Sequence, residues 1–468
     1  MKPKNLGTLL LAVFFVSLLL PTMTSRASVP KWTFMVYLDA DVNLDPYAWA
    51  DIHEMEAVGS TADVNIVVLL DRWYKMCGFN GTEIYYVHQG WSERVWGDKT
   101  DAYELNMGDP ATLSFFIEYV ATNYPADKYA LVLWDHGGNW RGICWDETTP
   151  NRDCLTIAEL KTAFTASPVT INVLGCDACL MASAEVTYAI SLSGKVDIMV
   201  ASEDYVPGWG YPYDMMLEEL VANPDMDASA FGVCMVDEYI ASYARTGCSF
   251  ATLAAIDLNN IPVLVDDIKD LATELIANIE EYIDPITGAK NAADRYWYGF
   301  YHQGGYIDLH YFAEKLGFLA PDLKALTDQI LTDWSNVVLN AKCCNGPHIR
   351  AGKGLTIYFP RNRNTYYMPD QYLLSATDFA TYTGWYDFLK LYFEEYGPGT
   401  PGDVNMDGSV NVLDLVLIVR ALGTDPSYQH GNGWGQWNPD ADINQDGYVD
   451  VFDLAIATLD YRSESKTP

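Results

Sequence analysis

The residues best suited to chemistry are a histidine and a cysteine that each follow a β-rich segment. His136 comes after the apolar run Tyr129–Trp134, and Cys179 comes after the run Ile171–Gly175. Because ligands of open parallel sheets bind beyond the carboxyl ends of the strands, both side chains are expected to face one reaction site. A thiolate beside an imidazole attacks carbonyl carbon atoms, and the imidazole passes the proton to the leaving amine. The sequence therefore predicts Cys179 as a nucleophile and His136 as its acid–base partner.

Backbone amides beside this pair could stabilise the oxyanion that such an attack creates. His136 is followed by Gly137 and Gly138. Glycine suits a loop where the backbone approaches a substrate closely, because it has no Cβ atom. We expect the N–H groups of Gly137 and Cys179 to form the oxyanion hole.

Two acidic segments near the C-terminus repeat one twelve-residue pattern. Each carries oxygen-bearing side chains at positions 1, 3, 5, 9 and 12 and a glycine at position 6, which is the spacing of an EF-hand loop around Ca²⁺. Position 7 supplies a backbone carbonyl. The repeat therefore predicts two calcium ions, whose ligands are Asp403, Asn405, Asp407, Ser409, Asn411 and Asp414 in the first loop and Asp442, Asn444, Asp446, Tyr448, Asp450 and Asp453 in the second.

Alternating β-rich and helix-length segments indicate the scaffold. Continuous apolar runs such as Trp32–Leu38, Val64–Leu70 and Val196–Ala201 are typical of buried parallel strands joined by crossover helices. The breaker-rich residues 397–402 predict a linker. The predicted fold class is α/β, with a mostly parallel sheet flanked by helices, followed by a small all-α calcium-binding domain.

Segments spread over residues 31–396 resemble the clostripain family of cysteine peptidases, and they occur in the family's order. They are Met35–Leu44, Trp134–Gly138, Asp177–Met181, Ala201–Glu203 with Pro207 and Gly208, and Gly354–Pro360. The resemblance implies a caspase-like fold and a catalytic dyad of His136 and Cys179. It predicts a cysteine endopeptidase.

The resemblance also implies an acidic S1 pocket that selects Arg or Lys at P1, with Asp177 at the matching position. In extended backbone two residues before Cys179, the Asp177 carboxylate would lie on the same side as the thiol. It can pair there with a guanidinium or ammonium group. Glu203 and Asp204 are expected to add to the negative field of the pocket.

Some members of the family cut themselves between the histidine and the cysteine strands. The polar segment Asp146–Asp153 contains Arg152, which is the predicted self-cleavage site, with Arg141 as its competitor. The absence of any processing is the alternative, because single basic residues in loops are common.

The resemblance admits a further calcium ion in the peptidase domain. Asp39, Asp41, Asn43 and Asp45 alternate along the chain and could ligate it. They lack the EF-hand glycine and terminal carboxylate, however, and such residues also cap helices and form turns.

The calcium repeat resembles the dockerin family, over a predicted domain of residues 403–462. Position 12 is Asp rather than Glu in both loops, and a helix follows each loop with little sign of one before it. The resemblance implies binding to a cohesin domain on a scaffold or cell-surface protein. The resemblance also implies that the residues at loop positions 10 and 11 help to select the cohesin. They are Val412, Leu413, Val451 and Phe452, and their apolar side chains predict an apolar contact.

The composition limits the partners and the location. A formal net charge of −35 argues against nucleic acid and anionic membrane surfaces, because binding there requires basic patches. Residues 6–20 are largely apolar and uncharged, but fewer than the ~20 that a membrane-spanning helix needs. With Ser25-Arg26-Ala27 behind them, they predict a signal peptide over residues 1–27, no stable membrane span and a secreted or cell-surface protein. Nine cysteines, an odd number, leave at least one thiol over.

Two other functions remain compatible with the sequence. Cys176 and Cys179 form a C-x-x-C motif, as in dithiol redox centres, although at least four strands precede it here. The second alternative is a catalytically inactive, caspase-like adhesion or scaffold protein whose dockerin is the functional part, since fold does not imply activity. The joint presence of His136, Cys179 and Asp177 favours the peptidase.

Overall fold

The structure is a computed structural model, and it covers most of the predicted peptidase domain and part of the calcium-binding domain. The predicted signal peptide and most of the predicted linker lie outside the described residues. The described residues are 29–78, 81–100, 103–149, 151–248, 250–293, 295–299, 302–344, 352–360, 369–396, 402, 404, 410–424, 441–443 and 448–464.

The strands come from apolar, β-branched segments, most of them buried on both faces. In chain order they are β1 (Trp32–Ala40), β2 (Val64–Arg72), β3 (Glu83–His88), β4 (Trp91–Gly97), β5 (Lys128–Trp134), β6 (Ile143–Asp146), β7 (Asp153–Leu155), β8 (Ile171–Asp177), β9 (Val196–Ala201), β10 (Thr252–Asp257), β11 (Arg295–Gly299), β12 (His302–Asp308), β13 (Val338–Cys343) and β14 (Thr356–Tyr358).

The helices alternate with these strands, and several begin at side-chain caps such as Thr156, which forms a capping box with Glu159. They are α1 (Asp45–Val58), α2 (Tyr74–Cys77), α3 (Pro110–Asn123), α4 (Ile157–Ala166), α5 (Ala184–Ser191), α6 (Tyr213–Ala222), α7 (Ala228–Thr246), α8 (Ile261–Ala277), α9 (Ile279–Ala292), α10 (Leu309–Leu319), α11 (Lys324–Val337), α12 (Pro369–Ser375), α13 (Thr377–Thr383), α14 (Trp385–Lys390), α15 (Val412–Ala421) and α16 (Val451–Glu464).

A nine-stranded sheet organises the peptidase domain, in the order β13-β10-β9-β8-β5-β1-β2-β3-β4. The central strands β9, β8, β5, β1 and β2 are parallel, and the outer strands on both sides are antiparallel. In the register of β5 and β8, Trp134 pairs with Asp177, so the two strands end together. The predicted α/β fold class is confirmed.

Helices cover both faces of this sheet because the side chains of a strand alternate between its faces. Met35 and Tyr37 of β1 pack in the core with α3, α4, α5 and α8. Phe34 and Val36 of the same strand pack on the other face with α1, α6 and α7. Full burial of one such aliphatic side chain stabilises the fold by about 1.5–3 kcal/mol. Two buried faces explain why the strands are apolar throughout.

Two smaller sheets lie beside the main one. The antiparallel sheet β11-β12-β14 takes its strand β14 from the segment Gly354–Pro360, one of the segments that carry the family resemblance. In the sequence, the hairpin β6-β7 comes between β5, the strand before His136, and β8, the strand before Cys179. Its strands have only four and three residues, too short to show a clear alternation in the sequence.

The C-terminal domain has its own small core. Ile418 and Ala421 of α15 are buried with Ala457 of α16, and Thr424 pairs with Val449 across an antiparallel bridge. One helix therefore follows each loop, as the repeat predicts. Within the described ranges, no helix is both long and apolar enough to cross a membrane.

Candidate active site

The loops after β5 and β8 are in backbone contact. The strand pairing continues past Trp134, where the Asp135 N–H donates to the Asp177 carbonyl at 3.4 Å. A Cβ atom on Gly137 would lie 2.1 Å from the Cys179 carbonyl oxygen, a distance that no real Cβ atom adopts. Glycine is therefore needed at position 137, and the structure brings the predicted dyad loops together.

Cys179 is partly buried beside the segment that joins β9 to α6. The Val206 N–H donates to its Sγ atom at 3.4 Å. Burial raises the pKa of Cys179 to about 12, the nearby carboxylates, chiefly Asp204, add to that rise, and the Val206 hydrogen bond opposes it. The thiol is therefore protonated at neutral pH in the absence of substrate.

The turn after Cys179 has an uncommon backbone conformation. Leu180 has a φ of +68°, in the left-handed region that disfavours a branched side chain. The Asn139 side chain donates to the Leu180 carbonyl at 3.0 Å and accepts from the Ser183 hydroxyl at 2.9 Å. Asn139, which the sequence analysis missed, therefore ties the histidine loop to the cysteine turn. Its position three residues after His136 was the only sequence signal.

His136 is partly buried and is hydrogen-bonded to the loop after β1. Its Nε2 atom lies 2.8 Å from the Asn43 Oδ1 atom. Burial lowers the pKa of His136, while the negative charge of Glu147 opposes that shift. The imidazole is therefore neutral at pH 7 and able to accept a proton.

The two predicted oxyanion donors belong to backbone segments that are in contact. The bridge between Gly137 and Ile143 is made by the N–H groups of Gly138 and Cys144, which bond to the carbonyls of Gly142 and His136. This bridge does not use the Gly137 N–H. The amide nitrogen of Cys179 lies only 2.9 Å from the place where a Gly137 Cβ atom would be. Donors on adjoining backbone segments are what an oxyanion hole requires.

Asp177 is buried at the end of β8, and only one of its two carboxylate oxygens is hydrogen-bonded among the described residues. Its Oδ2 atom accepts from the Tyr211 N–H at 2.9 Å and the Tyr213 hydroxyl at 3.0 Å. Its Oδ1 atom has no hydrogen-bond partner among the described residues. Burial raises the pKa of Asp177 to about 7, and the two hydrogen bonds oppose this shift. A cation that reached Oδ1 would favour the ionised form.

The other two predicted pocket carboxylates face different surroundings. Asp204 is buried, and its negative charge raises the pKa of Cys179 more than that of Asp177 does. Glu203 is held instead by the Gly354 N–H, which donates to Oε2 at 2.8 Å, and Asp308 is its strongest charged neighbour. The structure thus brings Asp177 and Asp204 near the thiol and directs Glu203 toward the small antiparallel sheet.

The two candidate arginines differ in exposure. Arg152 lies in the turn between β6 and β7, with a φ of +54° and a side chain that is 69% exposed. Its guanidinium pairs with Glu147 at 3.1 Å. Arg141 is half-buried, and its guanidinium lies 5.2 Å from the centre of the Trp140 ring. A protease would reach Arg152 more easily.

The alternating residues at the end of β1 and after it have separate hydrogen-bond partners. Asp45 forms two hydrogen bonds with Arg72, both at 2.7 Å, and Asp41 accepts from Thr148 at 2.7 Å. Asn43 is hydrogen-bonded to His136. Within the described part of the chain, no three His, Cys, Asp or Glu side chains are grouped as metal ligands. Asp41, Asn43 and Asp45 therefore anchor the turn between β1 and α1, and Asp39 is buried within β1, where it accepts from the Asp41 N–H.

The predicted calcium loops are described only in part. Asp414 and Asp453, at position 12 of each loop, are buried and accept from the backbone N–H groups of Asn411 and Asp450, both at 2.8 Å. Asp442 is also buried. Carboxylates that close their own loop in this way suit a cation that takes oxygen ligands. The predicted ligands outside the described residues are Asp403, Asn405, Asp407, Ser409, Asn444 and Asp446.

Cys176 does not act with Cys179 as a disulfide in this structure. Both side chains are thiols, and Cys176 is fully buried in the core. Burial raises the pKa of Cys176 far above its usual value. Such a thiol is unreactive, which favours a structural role.

Comparisons with known proteins identify the family of this chain. A sequence profile described as the Clostripain family matches residues 36–394, and one described as the Dockerin type I domain matches residues 401–458. The chain is 27% identical over 433 residues to clostripain of Hathewaya histolytica, which covers 78% of this chain and 82% of the relative.

Two solved structures have a similar fold at 18% sequence identity. One is a secreted C11 cysteine protease from Bacteroides thetaiotaomicron in complex with an irreversible peptide inhibitor, with a TM-score of 0.58 over 76% of this chain and 99% of that chain. The other is an inactive zymogen C11 protease from Parabacteroides distasonis, with a TM-score of 0.57 over 77% of this chain and 99% of that chain. The chain therefore belongs to the clostripain family of cysteine proteases and carries a C-terminal type I dockerin domain.

Proposed function

We propose that the protein is a secreted endopeptidase that cleaves after Arg or Lys, with Cys179 as the nucleophile and His136 as the acid–base. The observation that carries this proposal is the backbone contact between Gly137 and Cys179, which joins the histidine and cysteine loops at the ends of two adjacent strands. The Oδ1 atom of Asp177, which is buried without a hydrogen-bond partner among the described residues and lies two residues before Cys179, supports the choice of a basic P1 side chain.

The proposed reaction starts from a neutral thiol and a neutral imidazole. The substrate carbonyl oxygen binds at the N–H groups of Gly137 and Cys179, Sγ attacks the carbonyl carbon, and the thiol proton moves to His136. When the tetrahedral intermediate collapses, the C–N bond breaks and His136 gives this proton to the leaving amine. Water then hydrolyses the thioester, with His136 taking a proton from the water and returning it to the thiolate.

The test is hydrolysis of peptide amides that differ only at P1, with Arg, Lys, Asp or Leu. We expect cleavage after Arg and Lys, its loss in Cys179→Ala, and a preferential loss for basic P1 residues in Asp177→Asn. Cys176→Ser is the matched control, because that buried thiol touches no substrate and a peptidase does not need it. If folded protein cleaved none of these peptides, the non-catalytic adhesion protein would become the better interpretation.

Self-cleavage is proposed after Arg152. Its exposure in the β6–β7 turn, against the half-buried Arg141, supports this choice. Mass spectrometry of purified protein should find a fragment that begins at Asp153, absent from Cys179→Ala and from Arg152→Gln. A cut that persists in Arg152→Gln and disappears in Arg141→Gln would assign the site to the competitor.

We propose that the dockerin binds a cohesin domain and so attaches the enzyme to a scaffold or surface protein outside the cell. Apolar side chains at loop positions 10 and 11 are more than half exposed in both repeats, which supports an apolar contact; they are Val412, Leu413, Val451 and Phe452. Replacing one pair by Asp should weaken binding to a cohesin without changing the calcium content.

The calcium content of the whole chain tests where the metal binds. We propose two ions, both in the dockerin, because the position-12 carboxylates close their loops. Equilibrium dialysis should find two ions per chain. A third ion that survives in a variant with Asp414→Ala and Asp453→Ala would lie in the peptidase domain.

A further inference from the structure

A polar side chain from a distant loop contacts the predicted catalytic imidazole. The Nε2 atom of His136 lies 2.8 Å from the Asn43 Oδ1 atom, although 93 residues separate them in the sequence. This distance is typical of a good hydrogen bond. Since an amide oxygen only accepts, the Nε2 atom must carry the proton.

The neighbours of Asn43 hold its loop in place. Asp45 forms a two-point salt bridge with Arg72, and Asp41 accepts from both the backbone N–H and the hydroxyl of Thr148. Val42, between Asp41 and Asn43, is 1% exposed. A loop fixed on both sides of Asn43 presents the amide in one position, which is what a precise orientation of the ring requires.

We propose that Asn43 is a positioning residue for the protease reaction, because its side-chain carbonyl fixes His136 as the Nε2–H tautomer and leaves Nδ1 to accept the Cys179 proton. This inference rests on the proposed roles of His136 and Cys179. It extends the dyad to three side chains.

The proton count follows from this tautomer. When Sγ attacks, the S–H bond breaks and an Nδ1–H bond forms, so the ring becomes an imidazolium while its Nε2–H still donates to Asn43. The proton on Nδ1 then passes to the leaving amine. A neutral Asn does not bind the imidazolium as strongly as a carboxylate would, so it does not oppose this second transfer.

The ionisable groups near the His136 ring leave the neutral Asn43 as its hydrogen-bond partner. Glu147, from the loop after β6, faces His136, Asp135 precedes it, and Cys179 lies in the adjoining loop. The Asp135 carboxylate accepts from the Trp145 N–H at 2.6 Å, and burial raises the pKa of Asp135. Among these groups, Asn43 is the one that is hydrogen-bonded to the ring itself.

Kinetics across pH test the proposal, with three variants. Asn43→Ala should lower kcat by roughly 10- to 100-fold with little change in KM, because proton transfer by a positioned base contributes about 10²–10⁴-fold. Asn43→Asp keeps the acceptor and the shape, but its negative charge raises the pKa of His136, so the pH–rate profile should move to higher pH. Asn223→Ala, at an exposed site after α6 that is not in contact with the ring, is the control and should leave both kcat and the profile in place. An unmoved profile in Asn43→Asp, with unchanged kcat in Asn43→Ala, would overturn the proposal.

Nuclear magnetic resonance separates this proposal from the proposed function. Histidine labelled with ¹⁵N reports the tautomer directly, and His136→Gln identifies the signal among the seven histidines. In Cys179→Ala, which cannot turn over, we expect the Nε2–H tautomer, and a mixture of tautomers once Asn43→Ala is added. An Nδ1–H tautomer or a mixture with Asn43 intact would refute the role of Asn43. Loss of peptide cleavage alone would refute only the proposed function.

Discussion

Burial holds both members of the proposed dyad in their uncharged forms. It raises the pKa of Cys179 to about 12 and lowers the pKa of His136. A Cys179 thiolate and a His136 imidazolium would each lose solvation in this buried site, so burial disfavours both charged forms. The thiolate is therefore expected to form together with substrate attack, rather than to exist beforehand as an ion pair.

The reactivity of Cys179 toward a small alkylating agent tests this state. The rate of carbamidomethylation by iodoacetamide, followed by mass spectrometry of the Cys179 peptide, should rise continuously from pH 6 to pH 10, because the thiolate is the reactive form. Cys176 serves as the internal control and should stay unlabelled in folded protein, since it is fully buried. A rate that levels off below pH 8 would indicate a preformed thiolate.

A single connecting segment positions both the nucleophile and the proposed pocket carboxylate. The stretch between β9 and α6 donates the Val206 N–H to Cys179 and the Tyr211 N–H to Asp177. Gly210, with a φ of +62°, lets this stretch pass Asp177, where a Cβ atom would lie 2.6 Å from Oδ2. Changes in this element should therefore alter P1 selection and thiol reactivity together.

The contact between the histidine and cysteine loops predicts the effect of a substitution at Gly137. Gly137→Ala places a Cβ atom against the backbone of Cys179, and no side-chain rotation can relieve that clash. Displacing the amides should lower kcat/KM by at least ~10-fold, since loss of one oxyanion-hole donor costs about 10²–10³ in kcat. Gly288→Ala in α9 is the control, because a Cβ atom there would meet only the end of the flexible Leu319 side chain. Equal kcat/KM for the two variants would contradict the arrangement.

Several carboxyl groups in different parts of the molecule are buried, and burial raises their pKa values. Burial raises the pKa of Asp41 to about 8, of Asp51 to about 9 and of Glu185 to about 7. It also raises the pKa of Asp39 and Asp71 well above their usual value, with charge repulsion from their neighbours adding to the shift. The folded chain therefore binds more protons than the unfolded chain between about pH 4 and pH 9.

This difference in bound protons sets the direction of the pH dependence of stability. Because the pKa values are higher in the folded state, these groups stabilise the fold below about pH 4, and the contribution is lost as the pH rises to about 9. The melting temperature should fall between pH 5.5 and pH 9. Asp51→Asn should reduce this fall because it removes a buried group with a raised pKa, while its amide oxygen can still accept from Trp134. Asp225→Asn, at a site that is 87% exposed, should not reduce it. A melting temperature that rises over this range would contradict the prediction.

The dockerin and the peptidase should respond separately to loss of one calcium ligand. The Asp453 carboxylate accepts from the N–H groups of Ile443 and Asp450, so Asp453→Ala removes a proposed calcium ligand and two backbone contacts of the second loop. We expect one bound calcium ion fewer by equilibrium dialysis, a loss of cohesin binding and an unchanged kcat/KM on peptides. Retention of both ions would argue against Asp453 as a ligand.

The sequence by itself determined the features that depend on local spacing and on burial. Runs of apolar residues specify strands that are covered on both faces, and two such strands carry His136 and Cys179 at the same edge of the sheet. The calcium loops are likewise a pattern within twelve residues. The confirmed fold class and family resemblance both rest on such short-range signals.

Only the tertiary structure decided which distant loops meet. Asn43 bonds to His136, and Tyr211 and Tyr213 hold Asp177, across separations of 93, 34 and 36 residues. Asn43 and Asp45 are two residues apart, yet they bind partners on different elements, His136 and Arg72. No periodicity encodes such contacts, because a loop side chain takes its position from the neighbours that the packed sheet brings to it.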